Sequence, residues 1–297
     1  MKVHLIDGTY ELFRHYFALP SRRDRDGREV GAMIGVVHSM LGLLREGATH
    51  VGVATDHVVE SFRNQLWPGY KTGEGIEPEL HAQFHPLEEL LGAAGILVWP
   101  MVELEADDAL AAAARIAAAD PRVAQVLIGT PDKDLAQSLR GDRVVQWDRR
   151  KNEIRDAAAI REKFGVEPGS IPDYLALVGD SADGFPGIEG WGAKSAATVL
   201  AHYENLESIP ADPNEWEPRV RGKQRLADNL ERDRELAFLF RDLATLRADA
   251  DVLESVDRLE WRGPTAALEA LAARLGVPEL HARAVEIAEQ RERGETR

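Results

Sequence analysis

The sequence predicts an α/β domain with a mostly parallel central sheet, followed by a smaller helical domain. Three observations carry this prediction. Apolar runs of strand length recur through the first half, separated by helical patterns. Three of those runs end at, or lead into, an aspartate. Beyond about Pro168 strand-like runs nearly vanish, and short Gly-rich connections join helical segments.

VHLID (3–7) reads as a first strand ending in Asp7. Apolar Met33, Val36, Val37, Met40, Leu41 and Leu44, spaced three and four apart, predict a helix over about 31–45. VGVATD (51–56) is a second strand, ending in Asp56. The segment that follows is broken by Pro68, Gly69, Gly73, Gly75 and Pro78 and reads as a mobile loop region. His85–Ala94 reads as helix, ILVW (96–99) as strand and Asp107–Ala119 as an alanine-rich helix. VAQVLIGT (123–130) is a clear strand leading into Asp132 and Asp134, and VVQW (144–147) is another. The expected organisation is a first domain over 1–167, a helical domain over 168–250 and an extension over 251–297. The charged end from about Arg291 is expected to fray. Ligands of parallel sheets bind beyond the strands' carboxyl ends, so Asp7, Asp56 and Asp132 converge on one predicted site.

Composition narrows the function classes. The chain of 297 residues has no cysteine, which excludes disulfides, thiolate zinc sites and cysteine nucleophiles. It shows neither a signal-peptide pattern nor 18 uninterrupted apolar residues, so a soluble cytoplasmic protein without a membrane span is expected. Lys plus Arg is 36 and Asp plus Glu is 51, a net charge of −15 that speaks against a nucleic-acid footprint. Charge is uneven, however: Arg14–Arg28 holds five Arg against two Asp, and Arg219–Arg247 eight basic residues against five acidic ones.

Five acidic motifs stand out: IDG (6–8), TD (55–56), ELEADD (103–108), TPDKD (130–134) and GDSAD (179–183). Each alone suits a helix cap or a solvated turn. Gathered together, so many carboxylates repel one another unless cations neutralise them. Oxygen ligands without Cys or clustered His suit Mg²⁺ or Mn²⁺ rather than zinc. Two such ions, roughly 4 Å apart, support hydrolysis of a phosphodiester by water.

At these residues the chain resembles the 5′-nuclease (flap endonuclease) family, especially the 5′→3′ exonuclease domain of bacterial DNA polymerase I. The resemblance runs from Val3 to about Arg247, through IDGTYELFRHYFALP, SFRNQLWPGYK, ELEADD, TPDKDLAQ, FGVEPGSIPDYLALVGDSADGFPG, GIEGWGAKSAATVL and FRDLATLR. Pro131 stands where the family usually has Gly. The resemblance implies a PIN-like three-layer fold and a metal site of nine carboxylates: Asp7, Asp56, Glu105, Asp107, Asp108, Asp132, Asp134, Asp180 and Asp183. Some of them are expected to hold the metal through water. It also implies an arch region over about 61–84 with Arg63, Tyr70 and Lys71: Lys71 on the scissile phosphate and Tyr70 stacked on a terminal base. Glu74 stands where the family often has Arg, which predicts weakened substrate positioning.

GIEGWGAKS (187–195) fails as a dinucleotide fingerprint because its spacing is GxxGxG with no preceding strand. It fails as a P-loop because Ala193 separates Gly192 from Lys194. The resemblance implies instead a helix–hairpin–helix-like turn in which Gly190, Gly192 and Lys194 meet a DNA phosphate and backbone carbonyls hold K⁺. Trp99, Trp147 and Trp261 read as core, whereas Trp191 suits either exposure or packing between helices. The His residues form no ligand pattern.

The function implied is a stand-alone, Mg²⁺-dependent 5′→3′ exonuclease and 5′-flap endonuclease acting on DNA with 5′ ends or flaps, with Mn²⁺ substituting for two Mg²⁺. The main rival is a DNA-structure binding protein with little or no nuclease activity, which Glu74 and the acidic charge motivate. A haloacid-dehalogenase-type phosphatase lacks its DxDxT-like run here, and a PIN-like ribonuclease leaves the glycine turn unexplained.

Overall fold

The computed structural model describes residues 1–294. The chain divides into two compact units. The first comprises Met1–Val59, Gly73–Thr130 and the chain from Ala248 onward; the second comprises Glu60–Thr72 and Pro131–Arg247. This partition differs from the contiguous blocks read from the sequence. The start of the arch segment joins the helical unit, and the C-terminal extension returns to the N-terminal one.

The first unit is built on strands β1 (Lys2–Asp7), β2 (His50–Asp56), β3 (Leu97–Met101) and β4 (Gln125–Gly129). They pair in parallel in the order β3-β2-β1-β4. Asp7 lies opposite Ala54, Ile6 opposite Gly129 and Asp56 opposite Met101, so the strands' carboxyl ends share one edge. Residues 3–7 of β1 and 50–55 of β2 are buried without interruption. Successive side chains of a strand point to opposite faces, so unbroken burial means that layers cover both faces. One covering helix, Ala106–Ala119, lies against all four strands, its alanine face (Ala109, Ala112, Ala113) allowing close approach.

Helix Gly8–Ala18 starts directly after β1, capped by Asp7, and the sequence reading had left it unassigned. Gly8 is required by packing: a Cβ there would lie 2.7 Å from Val53 Cγ1 and 2.9 Å from the Ala54 carbonyl oxygen. Helix Gly31–Arg45 forms as its apolar periodicity predicts, burying Val36, Val37, Met40, Leu41 and Leu44. Beyond Ala248, helices Ala267–Arg274 and Pro278–Glu292 pack on Phe84–Ala93 and Gly31–Arg45. Three indole and backbone bonds tie this extension down: Trp99 Nε1 to Val252 O (2.7 Å), Trp261 Nε1 to Ala94 O (2.8 Å) and Trp261 N to Thr49 O (2.9 Å). Arg291, expected to fray, donates to the Leu44 and Ala48 carbonyls and lies over the Trp261 ring. The last three positions of the frayed-end expectation lie outside the described residues.

The second unit is mainly helical. Its helices are Ala157–Phe164, Ile171–Val178, Ala193–Tyr203, Lys223–Arg232 and Arg234–Ala244, beside an antiparallel hairpin of β5 (Val144–Asp148) and β6 (Glu153–Arg155). The sequence reading missed β6. The core gathers Phe185, Phe240, Trp191, Trp216, Leu175 and Leu177. Trp147 is only half-buried on the hairpin, with Arg149 over its ring, so the core role expected for it does not hold. No helix among the described residues is long and apolar enough to cross a membrane.

Candidate active site

In the first unit, five predicted carboxylates gather at the carboxyl edge of the sheet. Asp7 ends β1, where its Oδ1 accepts the Tyr10 amide at 2.8 Å and its Oδ2 accepts the Thr130 hydroxyl at 3.0 Å. Asp56 ends β2, its amide donating to Thr9 Oγ1 at 2.8 Å and its Oδ1 accepting the Ala106 amide at 2.9 Å. That last bond brings Asp56 to the start of the Ala106–Ala119 helix, where Glu105 is the N-cap residue. Asp108 folds back so that its Oδ2 accepts the Glu105 amide at 2.9 Å. Glu105 and Asp108 are buried and Asp107 is half-buried. Asp7 and Asp108 thus each accept a backbone amide at a helix start.

In the second unit, Asp134, Asp180 and Asp183 each offer a carboxylate oxygen, and these atoms lie within 4.8 Å of one another. All three residues are buried. Asp134 opens a 3-10 turn, Asp134–Ser138. Asp180 and Asp183 sit in a loop closed by mutual backbone bonds of Asp180 and Phe185, with Phe185 stacked on Phe240. Gly184 has φ +81°, and a Cβ there would stand 2.0 Å from the Gly69 carbonyl, so only glycine serves. The same approach lets Trp67 Nε1 bond Gly184 O (3.0 Å) and the Lys71 amide bond Asp183 O (3.1 Å).

The carboxylates of this group act on one another. Burial, then the charges of Asp132, Asp183 and Asp180, push the Asp134 carboxyl well above the usual carboxylate range; Lys133 only partly opposes them. Asp134 Oδ1 is buried without a hydrogen-bond partner. Such an orphaned oxygen is costly in a folded protein unless something else binds it. Three convergent carboxylates, all oxygen donors, fit a hard divalent cation. Two lysines border the group: Lys133 Nζ is 2.5 Å from Asp180 Oδ2, and Lys71 Nζ is 3.3 Å from Asp183 Oδ1. Asp132 is exposed and is not one of the three, although its charge acts on Asp134 and its Oδ1 accepts the Asp134 amide at 2.9 Å.

Two arch residues sit elsewhere than expected. Arg63 is 1% exposed, and its guanidinium donates to the carbonyls of Leu243 (2.8 Å) and Thr245 (3.1 Å). Two of its N–H donors therefore bond the chain, and the side chain is packed inside the helical unit. The Tyr70 ring is 3% exposed and belongs to the core of the helical unit, so it presents no face for a base to stack on. Motif matching supplies residue identity, whereas burial comes from tertiary packing.

The glycine turn joins helices Ile171–Val178 and Ala193–Tyr203. Gly190 has φ +83°, whereas Gly192 is extended, with open space around a hypothetical Cβ. Lys194 is exposed. Trp191 packs between helices, its Nε1 bonded to Leu226 O at 3.1 Å.

Sequence reasoning missed four residues that surround these carboxylates: Thr9, Thr130, Lys133 and Glu88. Glu88 accepts the Thr55 hydroxyl at 2.8 Å on one oxygen and bonds His57 Nδ1 at 2.7 Å on the other, holding both neighbours of Asp56. Its signal was legible: a lone carboxylate on the face that buries Phe84, Leu87 and Leu91.

Comparison with known proteins agrees with this arrangement. Residues 2–165 match the 5′-3′ exonuclease N-terminal resolvase-like domain, and residues 166–267 match the 5′-3′ exonuclease C-terminal SAM fold. The chain is 34% identical over 265 residues to DNA polymerase I of Pseudomonas aeruginosa, covering 86% of this chain but only 28% of the polymerase. It is 32% identical over 253 residues to the 5′-3′ exonuclease of Aquifex aeolicus, covering 84% of this chain and 86% of that protein. Among solved structures, the T5 D15 protein co-crystallised with metal ions superposes with a TM-score of 0.67 at 20% identity, over 97% of this chain and 99% of that one. The catalytic core of Rad2 in complex with DNA substrate gives 0.61 at 19% identity, over 96% and 90%. With both of its domains matched and a relative of similar length covered nearly end to end, the chain belongs to the 5′-3′ exonuclease family.

Proposed function

We propose that the protein is a cytoplasmic, metal-dependent 5′→3′ exonuclease and 5′-flap endonuclease that hydrolyses DNA phosphodiesters by a two-metal-ion mechanism. The observation that carries this reading is the buried trio Asp134, Asp180 and Asp183 with its orphaned Asp134 oxygen. Asp134, Asp180 and Asp183 would hold one divalent ion, and Asp7, Asp56, Glu105, Asp107 and Asp108 would serve the second, with Asp132 acting through water. Mg²⁺ is the resident ion of this reading, and Mn²⁺ replaces it. When bound, such ions supply charge neutralisation at the phosphodiester and a lowered pKa for water.

The chain's own residues orient and exclude. Thr130 and the Tyr10 amide fix both oxygens of Asp7, and the Ala106 amide fixes Asp56. Lys71, held beside Asp183, places an ammonium where negative charge develops on the phosphate. Gly190, Gly192 and Lys194 would meet the DNA backbone at the start of the Ala193–Tyr203 helix, with K⁺ held by carbonyls of that turn. Among the T5 neighbours are a flap endonuclease in a pseudo-enzyme-product complex with DNA and metal ions and a 5′-exonuclease with zinc bound, which support the substrate and ion classes proposed for this chain.

A second reading, a DNA-structure binding protein with little cleavage, draws on exposed Glu74 and the net charge of −15. One experiment separates them: a 5′-labelled flap substrate incubated with wild type and with Asp132→Ala, in Mg²⁺ or EDTA. Short products with wild type and Mg²⁺ alone uphold the nuclease. Retained flap binding without any Mg²⁺- or Mn²⁺-dependent product turns the reading to the second. Glu74→Arg then becomes the next variant, expected to increase cleavage.

A further inference from the structure

We propose that Lys133 is a built-in counter-cation: its ammonium neutralises the metal-free carboxylate trio, and a divalent ion must displace it to bind. The inference rests on the metal-site reading above. Lys133 lies in the chain between Asp132 and Asp134 and is not itself a ligand, so the metal chemistry assigns it no task.

The geometry argues for competition. Asp180 is 4% exposed, and its Oδ1 is occupied by the Ala182 amide at 3.0 Å. Its Oδ2 is held by Lys133, whose Nζ lies 2.5 Å from it, so both oxygens of this carboxylate are engaged before any ion arrives. Mg²⁺ draws carboxylate oxygens to about 2.0–2.1 Å. An ion that close to three oxygens within 4.8 Å of one another would face the Lys133 ammonium at short range. Two cations in that space repel strongly, the more so in a buried setting. Lys71 makes a looser contact with Asp183, at 3.3 Å, and belongs to the proposed phosphate machinery. Asp134 keeps an Oδ1 with no hydrogen-bond partner.

The physical consequence is a site that compensates itself. Three buried carboxylates without a cation would destabilise the fold. With Lys133 in place the metal-free chain tolerates them, at the cost of weaker ion binding. Lys133 side-chain exposure of 33% leaves the ammonium an exit to solvent when an ion arrives.

The test uses the full, metal-stripped chain with Mn²⁺ as the probe, read by calorimetric titration and by thermal melting in EDTA and in saturating Mn²⁺. Lys133→Met keeps length and removes charge, whereas Lys133→Arg keeps charge. Lys133→Met is expected to melt lower in EDTA, to regain wild-type melting in Mn²⁺, and to bind Mn²⁺ about tenfold tighter, as loss of one competing charge-assisted contact implies. Lys133→Arg should stay within about twofold of wild type in affinity, by the same reasoning. Within an Asp180→Asn background, where the ammonium has lost this partner, Lys133→Met should no longer tighten Mn²⁺ binding relative to Asp180→Asn alone.

Unchanged or weaker Mn²⁺ binding by Lys133→Met, or a gain that survives Asp180→Asn, overturns the inference while leaving the metal site standing. Absence of Mn²⁺ binding in wild type and variant alike removes the metal-site reading itself. If Lys133→Met is too unstable without metal, Lys133→Gln is read as the Mn²⁺ concentration giving half-maximal thermal stabilisation. A lower midpoint than wild type supports displacement, and an equal or higher one refutes it.

Discussion

Thr130 donates its hydroxyl to Asp7 Oδ2 at 3.0 Å, joining the carboxyl ends of two adjacent parallel strands. Both residues are buried, and Asp7 Oδ1 is already engaged by the Tyr10 amide. The hydroxyl therefore fixes the rotamer of a carboxylate proposed above to face a cation. Thr130→Val removes the donor and keeps the shape. A hydrogen bond to a charged group contributes about 1.5–3 kcal/mol, and loss of an outer partner of a metal ligand costs roughly 10–100-fold in affinity or activity. Thr130→Val should remain folded and cleave at least roughly tenfold more slowly, with a raised Mg²⁺ requirement. A Mg²⁺ titration of flap cleavage that overlays wild type would show the hydroxyl to be dispensable.

Asp134 makes a prediction about pH. Burial and its acidic neighbours raise its pKa above the ordinary 3.8, so the folded, metal-free chain retains a proton that the unfolded chain releases. The folded state binds more protons over that window, so stability falls as pH rises from about 4 through the raised value. Above it the penalty is fully present. Asp134→Asn removes the penalty and should melt higher than wild type in EDTA at pH 7, an advantage that shrinks toward about pH 4. In saturating Mn²⁺ the order should reverse, because wild type gains the ion's binding energy. Equal melting of the two proteins in EDTA across this range would show that the carboxylate carries no burial penalty.

The order of these elements was legible locally, and their assembly was not. Asp7 and Asp56 could be placed because each closes an apolar run of strand length. The three-residue spacing from Glu105 to Asp108 correctly marked a helix start. Nothing local says that Asp134 meets Asp180 and Asp183 across more than forty positions while adjacent Asp132 stays exposed. The return of the chain beyond Ala248 was equally hidden, although Leu268, Leu271, Ala272 and Leu275 carry a helical spacing. Its anchors, Trp261 on Ala94 and Trp99 on Val252, are single long-range bonds with no periodic signature. Arg63 was legible as part of a motif, but its bonds to the Leu243 and Thr245 carbonyls, 180 and 182 positions away, had no local signature.

Glu88 leads to a prediction about positioning. One carboxylate bonds both Thr55 and His57, the residues flanking Asp56, and its side chain is 10% exposed. Glu88→Ala frees both neighbours and should lower cleavage roughly tenfold while raising the Mg²⁺ needed for half-maximal rate. Glu88→Gln retains an oxygen for the Thr55 hydroxyl and should recover most of the loss. A merely structural role would instead lower the melting temperature of both variants and leave the Mg²⁺ midpoint unmoved.

Arg63 separates a structural from a catalytic account of the arch. Its guanidinium spans the carbonyls of Leu243 and Thr245 at the end of the Arg234–Ala244 helix, where backbone acceptors lack helical partners. Removing it leaves those carbonyls unsatisfied and opens a cavity at a residue only 1% exposed. Arg63→Ala should destabilise the protein by about 3 kcal/mol, seen as a lower urea midpoint at unchanged slope. Arg63→Lys should recover little, since one ammonium cannot reproduce a planar fork donating to two carbonyls. At a temperature where both proteins are folded, Arg63→Ala should keep most of its turnover on a flap substrate. Wild-type stability with turnover lost would return Arg63 to the reacting phosphate and require the arch to rearrange when DNA binds.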